Sequence, residues 1–114
     1  MFPDSPKTEP LHRVFVVQQT QVDYTSAAKF GRLEPPILPQ LQNVALSTLP
    51  TIREFRSRFH DFNDKDYLLL VGDPVAIGIA VAVAAELNKG RVNVLKWDKH
   101  SRSYIEISLN IKGR

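Results

Sequence analysis

The apolar residues of this chain fall into short blocks that predict four β-strands. The first block, residues 13–19 (RVFVVQQ), is rich in β-branched and aromatic residues, which indicates a strand buried on both faces. Residues 67–71 predict a further buried strand and residues 91–97 predict a third strand, whereas residues 103–111 (SYIEISLNI) alternate strictly between apolar and polar positions. That alternation predicts an antiparallel strand with one face in water.

A stripe of apolar residues at helical spacing predicts a helix in the segment STLPTIREFRSRFHDF, residues 47–62. The stripe consists of Ile52, Phe55, Phe59 and Phe62. Thr48 or Thr51 is expected to cap the helix, because Thr51 and Glu54 fit a capping box. Upstream, residues 25–31 predict a short helix, and residues 34–50, with four prolines, predict an extended connection with at most a brief edge strand.

The next stretch predicts a strand, a tight turn, a helix over residues 74–88 and a further strand. The helix has clear end signals, with Asp73 and Pro74 at its start and Asn88 and Gly90 at its exit. Such a βαβ unit implies two parallel strands joined by a right-handed crossover.

The helix over residues 74–88 is apolar on all sides. Large apolar residues point in every direction around it, namely Val75, Ile77, Ile79, Val81 and Val83. A chain this small has few layers with which to cover such a helix, so the pattern predicts a homo-oligomer in which a neighbouring subunit covers it. A membrane span is not predicted, because the uninterrupted apolar run is about half of the roughly 20 residues that a bilayer requires.

Length and composition favour a single folded domain. The 114 residues are 43% hydrophobic and 24% charged, which is ordinary for a globular protein. We expect residues 1–12, which contain three prolines and no targeting signal, to form a flexible N-terminal arm, and residues 13–114 to form the domain. The predicted fold is α/β: a mixed sheet with one βαβ unit, an additional helix and an antiparallel C-terminal hairpin. The absence of cysteine fits a reducing compartment such as the cytoplasm.

The positive charge is concentrated near the C-terminus. Residues 89–114 carry seven basic and two acidic residues, a net charge of +5, whereas residues 1–88 carry eight basic and ten acidic residues, a net charge of −2. A basic segment of this kind attracts phosphate backbones or acidic protein surfaces.

The Gly-Asp-Pro corner before the second helix, Gly72 to Val75, has the general form of a phosphate-binding turn, in which free N–H groups meet a helix N-terminus. The details favour a capped corner instead. Pro74 lacks an N–H group, the Asp73 carboxylate occupies the place of the anion, and no lysine follows Gly78 as the P-loop pattern requires. Nucleotide binding at this corner stays an alternative interpretation.

No residues form a recognisable catalytic, cofactor or metal site. The three histidines lie far apart in sequence and lack partners at ligand spacing, and no serine sits in a nucleophile elbow. The segment DFNDKD resembles a calcium loop but lacks the glycine and the final glutamate that the loop needs. We therefore predict a protein that is not an enzyme and needs no cofactor.

The strongest functional candidate is the turn of the last hairpin, VLKWDKHSRSY, which combines cations with aromatic rings. Its candidate nucleic-acid-binding residues are Lys96, Trp97, Lys99, His100, Arg102 and Tyr104, with Arg53 and Arg56 of the first long helix as additional cations. Cations that follow phosphates and rings that stack on bases are how proteins bind single-stranded nucleic acid. An equally open interpretation is a stabilising cross-strand aromatic pair beside a solvated charged turn.

Three segments, residues 13–18, 53–80 and 91–107, together resemble a family of small proteins, without an assigned activity, from marine tailed bacteriophages and ocean metagenomes. The resemblance covers most of the chain. It implies a phage product made in the cytoplasm of an infected bacterium, and it implies no functional residue.

These observations predict a phage accessory protein that binds nucleic acid through its basic C-terminal hairpin. The first alternative is a protein-interaction module, in which the same basic turn contacts an acidic protein of the host or the phage. The second is a small nucleotide-binding protein that uses the Gly-Asp-Pro corner.

Overall fold

The computed structural model describes residues 12–113, so the predicted N-terminal arm lies outside the described residues except for His12. The strands are β1 (Arg13–Val16), β2 (Arg32–Leu33), β3 (Asp66–Leu69), β4 (Arg91–Asp98) and β5 (Ser103–Asn110). The α-helices are α1 (Thr48–Arg58) and α2 (Pro74–Leu87), and short 3-10 helices lie at Thr25–Lys29 and Val44–Leu46. The predicted α/β class, with its βαβ unit, additional helix and C-terminal hairpin, is confirmed.

The strands form one mixed sheet in the order β2-β1-β3-β4-β5. β1 is parallel to both β2 and β3, β3 is parallel to β4, and β4 and β5 are antiparallel. The central position of β1 and β3 explains their continuous apolar runs, because strands covered on both faces have no side exposed to water.

Side chains that alternate along the strands divide the core between two faces of the sheet. One face buries Phe15 and Leu68 against Phe55 of α1, against Phe59 directly after this helix and against the alanines of α2. The other buries Val14, Val16 and Leu69 and is covered by the 3-10 helix at Thr25–Lys29, through Ala27 and its neighbours. The two α-helices therefore lie on one face, which we call the helix face, and the opposite face has a thinner cover.

Helix α2 begins and ends as its sequence predicts. The side chain of Asp73 accepts a 2.7 Å hydrogen bond from the N–H group of Val75, and Pro74 occupies the first helical position. The inner side buries Ala76, Ala80 and Ala84 completely, whereas the outer side leaves Val75 55% exposed. The chain thus covers only part of this apolar helix, and self-association stays a prediction.

Helix α1 begins earlier than the capping box predicts. The N-cap is Ser47, so Thr48 is the first helical residue, and Thr51 lies inside the helix, where its hydroxyl donates a 2.8 Å hydrogen bond to the carbonyl oxygen of Ser47. The prediction of Thr48 or Thr51 as the N-cap was wrong. Pro50 does not prevent the earlier start, because the first turn of a helix has no partner for its N–H groups.

The alternation in β5 does not divide buried from exposed residues as predicted. Tyr104, on the side expected to face water, is buried, whereas Ile105 and Ile107 on the other side are 38% and 36% exposed. The reason is the position of β5 at the end of the sheet, where neither helix covers it in full.

Candidate nucleic-acid interface at the hairpin turn

The hairpin of β4 and β5 is a regular antiparallel ladder that ends in a short polar turn. Eight residue pairs join the two strands, and the turn spans residues 99–102. The Asp98 carboxylate accepts a 2.9 Å hydrogen bond from the N–H group of Ser101, and hydrogen bonds from Ser101 lower the pKa of Asp98. Arg102 closes the turn with a left-handed φ of 54°. The carboxylate of Asp98, the acidic residue of this region, is therefore engaged in hydrogen bonds within the turn.

Trp97 and Tyr104 form a cross-strand pair at the base of the turn. They are direct partners in the ladder, and their ring centroids lie 5.0 Å apart with an interplanar angle of 72°. Tyr104 is 4% exposed, and its burial raises the pKa of its hydroxyl, whereas Trp97 is 44% exposed. Tyr104 is therefore the buried ring that supports the pair, and Trp97 is the ring that is open to solvent.

Exposed cations surround this pair. Lys99, His100 and Arg102 lie in the turn itself, and Lys96 precedes Trp97 on β4. Because side chains alternate along a strand, Lys96 projects from the helix face while Trp97 projects from the opposite face. The structure thus places two cations, Lys99 and Arg102, and the imidazole of His100 at the end of the hairpin, with a third cation, Lys96, on the other face of the strand.

The structure separates Arg53 and Arg56 from the hairpin turn. Both are exposed on α1, whose buried residues belong to the helix face, whereas Tyr104 belongs to the core of the opposite face. Arg56 also forms a 2.7 Å ion pair with Glu86 of α2. One ligand lying on Trp97 would not reach these two arginines without crossing the sheet.

A polar cleft of about 390 Å³, which the sequence alone did not indicate, lies at the Gly-Asp-Pro corner. It is lined by the amide residues Gln18, Gln19, Gln21, Gln40 and Gln42, together with Thr20, Gly72 and Asp73. The signal available in the sequence was the run QQTQ at residues 18–21, directly after a buried strand.

Gln18 fixes the floor of this cleft. Its side chain is buried, its Oε1 accepts a 2.7 Å hydrogen bond from the N–H group of Asp73, and its Nε2 donates to the carbonyl oxygen of Pro39. Gly72 adopts a φ of 117°, and a Cβ atom there would lie 2.5 Å from the Cβ atom of Gln18. The glycine of the corner is thus required for close packing against Gln18.

The cleft lies where the chain leaves the sheet in two directions. From β1 the chain crosses one face to β2, whereas from β3 it crosses the other face through α2 to β4. In open α/β sheets such a switch point, at the carboxyl ends of the strands, is where ligands most often bind.

A family model described as Phage Pam3 gp32-like protein matches residues 12–111. The chain belongs to this family. The match includes every strand and both α-helices, and it confirms the resemblance to a family of phage proteins, while the marine source stays a prediction. Comparisons with curated proteins and with solved structures gave no match.

The described part of this family member offers little for metal chemistry. Within residues 12–113, no three His, Asp or Glu side chains are grouped so that they could hold a metal ion. Over the same residues, no helix combines the length and the apolar character needed to cross a membrane. Two surfaces of the described residues combine exposed polar groups in one place, namely the hairpin turn and the cleft lined by glutamines.

Proposed function

We propose that this phage protein binds single-stranded nucleic acid through the end of its C-terminal hairpin, in the cytoplasm of the infected bacterium. The observation that carries the proposal is the half-exposed indole of Trp97, held edge to face by the buried Tyr104. A ring fixed in this way loses little conformational freedom when a base stacks on it.

The charges beside Trp97 support the same function. Lys99, His100 and Arg102 are exposed beyond the tryptophan, and hydrogen bonds within the turn occupy Asp98. A strand whose base stacks on Trp97 would bring its neighbouring phosphates toward Lys99 and Arg102. Arg53 and Arg56 lie on the other side of the sheet and have no part in the proposed site.

We expect Trp97→Ala to weaken binding of a single-stranded oligonucleotide by about 1–3 kcal/mol, because base stacking is lost, while the salt dependence stays the same. Lys99→Ala should instead reduce the slope of log K against log salt by about 0.7, because one phosphate contact and its counterion release are lost. Fluorescence anisotropy over a salt series measures both effects.

Two further variants control this experiment. Trp97→Phe keeps an aromatic ring and should retain most of the affinity. Lys65→Ala removes the same charge at the opposite end of the sheet, before β3, and should leave the slope unchanged. If the wild-type protein binds no DNA or RNA oligomer at low salt, the proposal is contradicted and an acidic protein partner is favoured. If Trp97→Ala has a lower melting midpoint than the wild type, its loss of affinity reflects a structural role of the tryptophan.

The glutamine cleft favours a second candidate function, the binding of a small uncharged ligand such as a nucleoside. Amide side chains both donate and accept hydrogen bonds, and the carboxylate of Asp73 can accept hydrogen bonds from hydroxyl groups. The Asp73 carboxylate lies where a phosphate would otherwise bind, so we expect phosphate groups to be disfavoured there.

Asp73→Ala separates the capping role of this residue from a ligand role. We expect the variant to lose roughly 1 kcal/mol of stability, because the hydrogen bond to the N–H group of Val75 is lost. Urea melts measure this loss, and a titration with adenosine followed by NMR measures binding. If the variant and the wild type bind adenosine equally, or neither binds it, the role of Asp73 is purely structural. If the variant keeps its stability but its affinity for adenosine changes sharply, the cleft is a binding site.

A further inference from the structure

The outer edge of β5 is open among the strands that the structure describes. β5 is the last strand in the order β2-β1-β3-β4-β5, and eight consecutive residue pairs join its inner edge to β4. An edge strand of this length presents a row of N–H and C=O groups that can pair with a further strand.

The hydrogen bonds of the hairpin show which residues point outward. The N–H group of Ile111 donates to the carbonyl oxygen of Gly90 at 2.8 Å, which places Ile111 on the side of β4. Successive residues of a strand direct their backbone groups to opposite sides, so Ile107 also faces β4. The backbone groups of Glu106 and Ser108 therefore point away from the sheet, toward the open edge.

Only one charged side chain, Glu106, lies along this edge. Natural edge strands are usually short, or carry lysine, proline or a bulge, but residues 103–110 (SYIEISLN) contain no lysine or proline, and their ladder is continuous. Ile105 and Ile107 are partly exposed on the helix face. Ile77 and Val81 of α2, which are half-buried, pack against the core of the same face.

We propose that two copies of this chain pair antiparallel along β5, with Ile107 at the two-fold axis. This register places Ile105 opposite Leu109 of the second copy, and Glu106 opposite Ser108. In this register the β5 sequence is self-complementary. Apolar residues of the two copies lie opposite each other on one face, and Glu106, the single charged residue of β5, does not lie opposite Glu106 of the second copy. A symmetric dimer of this kind is the commonest protein assembly.

The dimer has a defined consequence for the hairpin turns. Because the two-fold axis is perpendicular to the sheet, both Trp97 rings lie on the same face of the continuous sheet. Each turn lies about six residues from the axis, so the two turns are roughly 40 Å apart at opposite ends of the paired strands. The proposal is independent of nucleic-acid binding, since it rests on the β5 edge alone.

The absence of cysteine from the sequence allows a direct crosslinking test. In the proposed register the two Ile107 residues form a non-hydrogen-bonded pair with Cα atoms about 4.5 Å apart, which a disulfide can span. We expect Ile107→Cys to form a covalent dimer in a glutathione redox buffer. The matched control is Leu41→Cys, whose thiol is at least as exposed but lies in a loop away from β5. Equal rates for the two variants would overturn the proposal.

Sedimentation equilibrium provides the second measurement. Wild-type protein should sediment at twice its chain mass of 12.9 kDa at micromolar concentration, and Ile107→Lys should sediment as the monomer. Leu46→Lys, which changes an exposed residue outside the strands, should stay dimeric. A monomeric wild-type protein would refute the dimer. The double variant Trp97→Ala, Ile107→Cys should crosslink as readily as Ile107→Cys alone. Dimer formation is thereby tested in a protein that lacks the proposed base-stacking ring, so the failure of one proposal can be told from the failure of the other.

Discussion

Replacing Arg13 by alanine is expected to lower the free energy of unfolding by about 3–5 kcal/mol, because the substitution leaves a buried carboxylate without its charged partner. Asp66 has no exposed side-chain surface, and the Arg13 guanidinium donates to both of its oxygens at 2.9 Å. The two residues are partners in the register of β1 and β3. The hydrogen bonds with Asp66 raise the pKa of Arg13, so the arginine stays charged at every ordinary pH.

Urea melts of the variant and of Arg91→Ala would test this expectation. Arg91 forms an ion pair of similar length with Asp64, but both partners are exposed, so its removal should change the midpoint little. A combined replacement of Arg13 and Asp66 by apolar residues should cost less than Arg13→Ala, because no unpaired charge remains in the interior. If Arg13→Ala and Arg91→Ala were equally mild, Asp66 would not depend on Arg13.

Replacing Gly72 by alanine is expected to cost about 2–4 kcal/mol through backbone strain and overpacking. The φ of 117° is one that residues with a side chain rarely adopt, and the new Cβ atom would lie 2.7 Å from Oε1 of Gln18. Gln18 cannot move aside without losing its hydrogen bonds to Asp73 and Pro39. The variant should therefore melt earlier and lose the order of the cleft.

Gly78→Ala is the matched control for this substitution. Gly78 lies inside α2, and nothing lies within 4 Å of the place where its Cβ atom would be. Alanine there should stabilise the helix by about 0.5–1 kcal/mol, because glycine loses more conformational freedom on folding. Opposite signs for the two substitutions, measured in the same urea titration, are the expected result; equal effects would contradict the close packing of Gly72 on Gln18.

Local patterns predicted the elements that depend on local chemistry. The cap of α2 at Asp73 and Pro74 is an interaction within a few residues, so its signal is complete in the sequence. The capping box at Thr51 was misleading because the helix extends back to Thr48, where the chain emerges from the 3-10 helix at Val44–Leu46. A cap signal thus identifies a favourable start but does not exclude an earlier one.

The hairpin turn was predictable from local sequence in the same way as the cap of α2, but its exposure was not. Adjacent cations and rings identified the turn, and the ladder register confirms that Trp97 faces Tyr104. Which of the two rings a ligand could reach was not predictable, because Tyr104 is buried by residues far away in sequence, such as Ala27 and Leu69. Arg53 and Arg56 were grouped with the turn by charge alone, and charge carries no information about the face of a sheet.

By itself the sequence determined four of the five strands, both α-helices, the βαβ unit and the concentration of positive charge near the C-terminus, because each depends on periodicity, end signals or composition along the chain. Only the tertiary structure decided that Arg13 neutralises Asp66, that Gln18 packs on Gly72, and that the outer edge of β5 is open among the described strands. These features join residues that are distant in sequence. Their positions follow from strand order and register, which result from packing of the whole core and leave no periodic signal in any single segment.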